Sequence, residues 1–190
     1  RYWRDWSSDV CSSDLIEQYF AYIGALLRGD LGDSIATKRP VTQELLERLP
    51  STLELVIAAN VFSIIVGIPL GVLSAVMQGK NADTGIRTFS VIGVSLPSFW
   101  LGLILQIVFA NALGWFPVAG RVDSSLRFTN PITEITGFYL MDTIATGNWT
   151  ALGNVISHLI LPAVTLAAFP IGLIARMTRA TMRSEERRVG

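Results

Sequence analysis

An uncharged apolar run at residues 55–76 limits the possible folds more than any other feature of this chain. It reads LVIAANVFSIIVGIPLGVLSAV. As a helix it would span roughly 33 Å, about the thickness of the hydrocarbon core of a bilayer. We therefore predict a transmembrane helix here, with bounds of about 53–76.

Two further apolar runs, at residues 88–113 and 155–175, have similar length and also lack charges. Four prolines lie inside the three runs: Pro69, Pro97, Pro162 and Pro170. Proline costs about 3 kcal/mol inside a soluble helix, whereas packed membrane helices tolerate it. We predict an all-α polytopic membrane protein with kinked, packed helices and short interfacial helices in its outer segments. Its transmembrane region covers residues 51–183, with spans at about 53–76, 88–113 and 155–176 and an outer connector at 114–154.

Composition agrees with a membrane protein and argues against several other classes. Hydrophobic residues make up 51% of the chain, charged residues 16%, and the mean hydropathy is +0.47. The formal charge of zero argues against a nucleic-acid partner. Cys11 and His158 are the only cysteine and histidine, too few for a multi-cysteine metal site or a catalytic zinc. We expect no metal, no cofactor and no catalytic residue.

The charges beside the spans predict their orientation. The connector at residues 77–87 carries Lys80 and Arg87 against Asp83, and three arginines follow the third span within residues 176–183. Basic residues in short loops favour the cytoplasmic side. The long connector and the segment before the first span carry mixed charge, so we place both outside the cell.

The outer segment at residues 15–50 is expected to be helical. Residues 15–27 predict a short helix, and the glycines within residues 29–32 should break it. Residues 41–49 show the spacing of an amphipathic helix, which Pro50 is expected to end. The outer connector is too long to be a simple turn, so it should contain short helices of its own.

Polar groups within the spans must face protein or water because lipid offers no hydrogen-bond partners. One interpretation is that they line a solute path, and the other is that they hydrogen-bond between helices. The candidates for path lining are Asn60, Ser63, Ser95, Ser98 and Gln106. His158 and Glu54 lie near outer ends, where we expect capping or interface contacts for the histidine and headgroup contacts for the glutamate.

The glycines of the spans suit helices that pack closely yet can rock. They are Gly67, Gly71, Gly93 and Gly102.

Both ends of the chain look foreign to the rest. Residues 1–14 and 184–190 resemble translated adapter sequence, so we expect non-native tails there and predict that their removal leaves the packing of the spans unchanged.

Seven short motifs together resemble a known family. They are GDLGDS at 29–34, RLPSTLEL at 48–55, GIPLGV at 67–72, GVSLPSFWLG at 93–102, GWFPVAG at 114–120, HLILPA at 158–163 and ARMTRATM at 175–182. Their order and spacing resemble the binding-protein-dependent ABC transporter permeases of the dipeptide, oligopeptide and nickel type. The resemblance covers residues 15–183.

The resemblance implies an inner-membrane permease subunit that forms part of the path for peptides or similar small solutes. Its implied partners are a second homologous permease, two cytoplasmic ATPase subunits, an extracytoplasmic substrate-binding protein and the lipid bilayer. It also implies a membrane helix before residue 15, and a coupling loop with two more helices after residue 183. None of these three parts lies within this sequence, and dipeptides, longer peptides, glutathione and nickel chelates all remain possible solutes.

Two other functions stay open from the residues alone. Ser95 and His158 would offer a serine and a base to an intramembrane protease, although the glycine expected after that serine is replaced by Leu96. A passive membrane scaffold would need only packing.

Arg179 lies on a predicted basic helical stripe with its two neighbouring arginines, and it could either anchor the span or take part in coupling to the ATPase.

Overall fold

The computed structural model describes the backbone of residues 12–189 and the side chains of residues 15–184. The predicted tail at residues 1–14 thus lies almost entirely outside the described part, as do most side chains of the tail at 184–190. Every regular element within the described residues is helical, which confirms the predicted fold class. The chain divides into two compact units, Arg1–Leu49 and Pro50–Gly190.

The outer segment begins with α1, Ser12–Leu27, close to the predicted helix. Gly29 and Gly32 then take φ angles of +80° and +74°, a left-handed conformation that side chains rarely adopt. The predicted glycine break is confirmed. Arg39 donates both terminal nitrogens to Glu47, at 3.2 and 2.7 Å, which fixes the turn that leads into the next helix.

The second helix, α2, covers Val41–Val76 and contains both Pro50 and Pro69. The prediction that Pro50 ends the amphipathic helix is wrong. Proline deprives the carbonyl of Leu46 of its helical partner, but Leu46 lies on an exposed part of the helix. Because water or a headgroup can satisfy that carbonyl there, the helix continues into the first apolar span.

The second predicted span is two helices rather than one. Helix α3 covers Asn81–Ser95, and α4 covers Ser98–Leu105 and continues as a π-helix over Gln106–Ala112. The two directions differ by 108°. Pro97 lacks an N–H and holds the preceding Leu96 in an extended conformation, which stops α3 and redirects the chain.

The outer connector contains α5, Ser124–Thr129, and α6, Tyr139–Ala145, so the expectation of short helices there is confirmed. The last helix, α7, covers Trp149–Val189 and runs through both Pro162 and Pro170. It includes residues 176–183, which were predicted to continue the third span as a helix. By length and composition, α2 and α7 can each cross a membrane. The bent α3–α4 pair is a third crossing if its two helices together form a single span.

The core of the second unit is built from small side chains. Ala59 of α2 packs with Ala163, Ala167 and Ile171 of α7. Small residues let membrane helices approach closely, and dispersion contacts then replace the hydrophobic effect that would hold a soluble core together. Large apolar side chains of α2, such as Ile57, lie exposed on the outside of this block.

The contacts along α7 show that residues 83–123 run from one of its ends to the other. Asp83 bonds Arg179, whereas Asp123 bonds Asn154. These two positions on α7 lie about 37 Å apart at 1.5 Å per residue. Residues 83–123, which include the bent pair, therefore run along α7 in the direction opposite to it.

Candidate functional site: polar clusters at the two ends of the helix block

At the predicted outer end, α2 is tied to the connector by a buried carboxylate. Glu54 is 6% exposed and accepts hydrogen bonds from Arg121 at 2.7 Å and from the backbone N–H of Leu140 at 2.6 Å. Arg121 also donates to the carbonyl of Gly137 at 3.1 Å and lies 3.7 Å from the ring centre of Tyr139. We call these five residues the outer cluster. The expectation that Glu54 reaches headgroups is wrong.

A second contact at this end joins the connector to α7. Asn154 donates to the Asp123 carboxylate at 2.6 Å and accepts from the Asp123 N–H at 2.9 Å. His158 is buried, with Nδ1 2.9 Å from the carbonyl of Asn154 and Nε2 3.5 Å from Asp123. His158 thus makes a local contact near the outer end of its span.

The loop before α6 is organised around Asp142, which is 1% exposed. Its carboxylate accepts from the backbone N–H groups of Ile135, Thr136 and Gly137 at 3.0 to 3.2 Å and from the Thr136 hydroxyl at 2.7 Å. Burial opposes ionisation, but the hydrogen bonds from Thr136 and its neighbours outweigh it and hold the pKa of Asp142 below its ordinary value. The charged form of Asp142 therefore holds this loop together.

An open cavity of about 200 Å³ lies beside this loop. Its lining mixes apolar side chains with charges of both signs, from Val122, Leu126, Arg127, Pro131, Ile132, Glu134 and Tyr139. Tyr139 donates its hydroxyl to Glu134 at 2.7 Å. Burial and this hydrogen bond raise the pKa of Tyr139, so the phenol stays protonated and keeps the glutamate in place.

At the predicted inner end, a second buried carboxylate connects three helices. Asp83 of α3 accepts from the Ser74 hydroxyl of α2 at 2.7 Å, from the Gly79 N–H at 3.3 Å and from Arg179 of α7 at 2.8 Å. We call these four residues the inner cluster. Sequence analysis placed Asp83 in a connector, but α3 begins at Asn81, so the aspartate lies in its first turn.

Between the clusters, glycines set the distance between α2 and α7. A Cβ at Gly67 would lie 3.0 Å from the Cβ of Ile174, and one at Gly71 would lie 2.6 Å from the Cβ of Thr178. The latter distance is shorter than real Cβ atoms allow, and the carbonyl oxygen of Ala175 would be only 2.7 Å away. The predicted close approach at this pair of glycines is confirmed.

Glycines also bring α3 and α4 against α7. A Cβ at Gly93 would meet the carbonyl oxygen of Ala168 at 3.1 Å, and one at Gly102 would meet Thr165 at 3.2 Å. From α7, Gly172 presses against the carbonyl oxygen of Ser90, which a Cβ would approach to 2.7 Å. The bent pair is therefore held against α7 on both sides of its break.

The five predicted path-lining residues do not share one cavity. Asn60 is exposed and donates to the carbonyl of Val56 at 2.8 Å, while Ser63 is 1% exposed and donates to the carbonyl of Asn60 at 2.7 Å. Ser95 and Ser98 are exposed on either side of the break in the bent pair, and Gln106 donates to the carbonyl of Val118 at 2.9 Å. None of the five lines the 200 Å³ cavity.

Sequence reasoning did not identify the two charge pairs that these clusters contain. Glu54 and Arg121 lie 67 positions apart in sequence, and Asp83 and Arg179 lie 96 apart, so no local pattern links them. A charge at the edge of an apolar span must find a partner, but the outer connector carries two arginines and the inner end of α7 carries three within residues 176–183, so the sequence does not single out Arg121 or Arg179.

The structure does not support the intramembrane serine protease. Gly93, near Ser95, lies against Ala168, whereas His158 lies ten positions earlier on α7, about 15 Å away along the helix axis. Both nitrogens of His158 also face other groups, the Asn154 carbonyl and Asp123. A general base must be within hydrogen-bond reach of its nucleophile, and this one is not.

Comparison with known proteins gives the family. Residues 67–186 match the binding-protein-dependent transport system inner membrane component family. The chain is 44% identical to the probable D,D-dipeptide transport system permease protein DdpB of Escherichia coli (strain K12) over 168 residues, which is 88% of this chain and 48% of the relative. It is 42% identical to the di/tripeptide transport system permease protein DppB of Pseudomonas aeruginosa (strain UCBPP-PA14), with 88% and 49% covered.

A more distant relative is the putrescine export system permease protein SapB of Escherichia coli (strain K12), 35% identical over 161 residues, with 83% of this chain and 49% of the relative covered. The chain spans about half the length of the curated relatives it matches. All three relatives are named as transport permeases rather than enzymes. The chain belongs to the binding-protein-dependent transport system inner membrane component family and is a multi-pass protein of the bacterial inner membrane.

Proposed function

We propose that this chain is part of the permease subunit of an ABC importer, in which it forms part of the path for di- or tripeptides or similar small solutes. The observation that carries this proposal is the identity of 42–44% to peptide permeases across most of the chain. The geometry agrees, because α2, the bent α3–α4 pair and α7 are held together by polar clusters at both ends and by glycine contacts between them. Rigid helices that pack in this way suit alternating access.

The proposed partners follow from the same assignment. Two cytoplasmic ATPase subunits would supply energy, an extracytoplasmic binding protein would deliver the solute, and a second permease would complete the path. Exposed apolar side chains on α2, including Ile57 and Ile65, provide a surface for lipid or for that second permease. We assign no catalytic step to this chain, and ATP hydrolysis belongs to the separate subunits.

Among the candidate lining residues, the structure favours the exposed ones. Ser95 and Ser98 present hydroxyls at the surface of the apolar block, where lipid offers no partners, and Asn60 is exposed there with its amide bonded to the Val56 carbonyl. We therefore propose that they face the solute path. Ser63 is buried and bonded to a backbone carbonyl, and the half-buried Gln106 is bonded to the carbonyl of Val118, so both enter the path only if the helices rearrange.

The function is tested with the full-length permease, assembled with its partner subunits in proteoliposomes. Uptake of labelled dipeptides and tripeptides should require both ATP inside the compartment that holds the ATPases and the binding protein on the opposite side. The same complex with an inactive ATPase is the control. Absence of uptake from a complex that hydrolyses ATP normally would refute peptide transport, and uptake of a nickel chelate alone would move the assignment to that solute.

The path lining is tested by single cysteines at positions 60, 95 and 98, with position 65 as the matched control on the apolar surface of α2. A small water-soluble thiol reagent should modify the first three, and saturating dipeptide should slow that reaction. The control should stay unmodified because lipid excludes the charged reagent. Equal reaction at all four positions, or no protection by solute, would remove these residues from the path.

A further inference from the structure

The inner cluster stands out because the carboxylate of Asp83 is contacted from three separate segments. Its partners lie on α2 (Ser74), in the turn after α2 (Gly79) and on α7 (Arg179). The side chains of Asp83 and Arg179 are only 4% and 17% exposed. A charge pair at this depth is screened much less than a surface pair, so it holds its helices in one arrangement.

The inner cluster sits at the end of the tightest packing in the second unit. Gly71 meets Thr178, one position before Arg179, and Gly172 meets the backbone at Ser90. At both glycines the helices approach each other too closely for any side chain larger than a hydrogen atom. The inner halves of α2, α3 and α7 therefore pack as one block, with Asp83 at its predicted cytoplasmic end.

The three arginines of the predicted basic stripe do not share one environment. Arg176 and Arg183 are exposed, whereas Arg179 turns inward to Asp83, and its Nε is buried without a hydrogen-bond partner among the described residues. A residue that served only to anchor the helix in the membrane would gain nothing from this burial. Arg176 and Arg183 stay exposed and available for topological anchoring, so Arg179 is not needed for that role.

We propose that Asp83 and Arg179 are positioning residues for transport: they fix the cytoplasmic extension of α7 to α2 and α3, so that these helices move as one body when the ATPase subunits act. This inference rests on the proposed function. Movement imposed on the inner end of α7 then reaches the bent pair directly. The break at Leu96 and Pro97 is the point at which the chain changes direction by 108°.

The first test compares Asp83→Asn and Arg179→Gln with Arg176→Gln in the full-length complex. Arg176 is the matched control because it is the same residue type, three positions away and exposed. We expect hydrolysis stimulated by the binding protein to fall by at least about fivefold per inserted molecule in the first two variants, within the usual range of coupling between sites. The control should keep normal stimulation. A merely structural role would lower the amount of complex but leave stimulated hydrolysis per molecule unchanged.

The second test asks whether α2 and α7 separate during transport, using cysteines at positions 67 and 174 in an otherwise cysteine-free background. The Cβ positions lie 3.0 Å apart, within about 1 Å of the 3.5–4.5 Å spacing that a disulfide needs. Oxidation should leave transport by the complex with Asp83 intact, because α2 and α7 do not separate.

Two results would overturn the proposal. One is normal stimulated hydrolysis in both the Asp83→Asn and the Arg179→Gln complexes. The other is transport that is lost on oxidation of the disulfide pair beside an intact Asp83 and regained on reduction, since α2 and α7 would then have to separate. If the Asp83 and Arg179 variants fail to insert into the membrane, the oxidation experiment alone tests the proposal. A complex that imports no peptide would refute the proposed substrate. Even in that complex, the effect of oxidation on ATP hydrolysis tests whether α2 and α7 stay together.

Discussion

Removing the carboxylate of Glu54 is expected to loosen the outer end of the helix block. Glu54 makes two contacts of different kinds, an ion pair with Arg121 at 2.7 Å and a hydrogen bond from the Leu140 N–H at 2.6 Å. Glu54→Gln keeps an acceptor for the N–H but loses the charge. Glu54→Ala loses both contacts and leaves a buried N–H unpaired.

The structure lets the two losses be estimated separately. Arg121 is 32% exposed and also contacts the Gly137 carbonyl and the Tyr139 ring, so water and these groups compensate part of the lost ion pair. We expect Glu54→Gln to lower the free energy of unfolding by about 1–2 kcal/mol. Glu54→Ala should cost about 3–5 kcal/mol, because an unsatisfied buried donor and a cavity add to the lost charge.

The assay is thermal and denaturant stability of the full-length permease in detergent, with Glu44→Gln as a control on the same helix. Glu44 precedes the buried region, so its replacement should stay within about 0.5 kcal/mol of the wild type. Equal effects of Glu54→Gln and Glu54→Ala would show that the Leu140 hydrogen bond contributes nothing. A Glu54→Ala effect as small as that of the control would refute the outer cluster as a stabilising contact.

Three further predictions concern orientation, packing and pH. Single cysteines replacing Ala82 and Ser125, both exposed, should react from opposite sides of the membrane; labelling of position 82 by an impermeant reagent outside intact cells would reverse the orientation. Gly71→Ala should destabilise the protein by about 1–3 kcal/mol because its Cβ meets α7 at 2.6 Å, whereas Gly153→Ala, with open space around it, should not, and equal melting temperatures would refute the interface. Asp142 has a lowered pKa, so its contribution is complete above the ordinary value of 3.8 and is lost as the pH falls through the lower folded value. Asp142→Asn should reproduce that loss at neutral pH, seen as faster amide exchange at residues 135–137, and unchanged exchange in the variant would contradict the role of the charge.

Much of the fold could be predicted from local properties of the chain. Long uncharged runs located the membrane helices, and glycines marked the end of α1 and the positions where α2 approaches α7. Arginines after the third span correctly indicated that the helix continues, as α7 shows. Each of these inferences depends on only one segment and its solvent, which is why sequence alone was sufficient.

The prolines show where local reasoning became insufficient. Pro50 was expected to end a helix and does not, whereas Pro97 ends α3 and turns the chain by 108°. The residue type is the same in both cases. The outcome depends on whether the surroundings can satisfy the freed carbonyl and continue the packing, and those surroundings are supplied by the tertiary structure.

The sequence by itself determined that this chain crosses a membrane and which permease family its motifs resemble, because apolar length and motif order are properties of the chain alone. Only the tertiary structure decided which charges meet. Glu54 and Arg179 were assigned to headgroups and to a basic stripe, yet each is buried against an opposite charge more than 60 positions away. A buried charge takes whatever partner lies at its own depth, and depth is a property of packed helices rather than of sequence spacing.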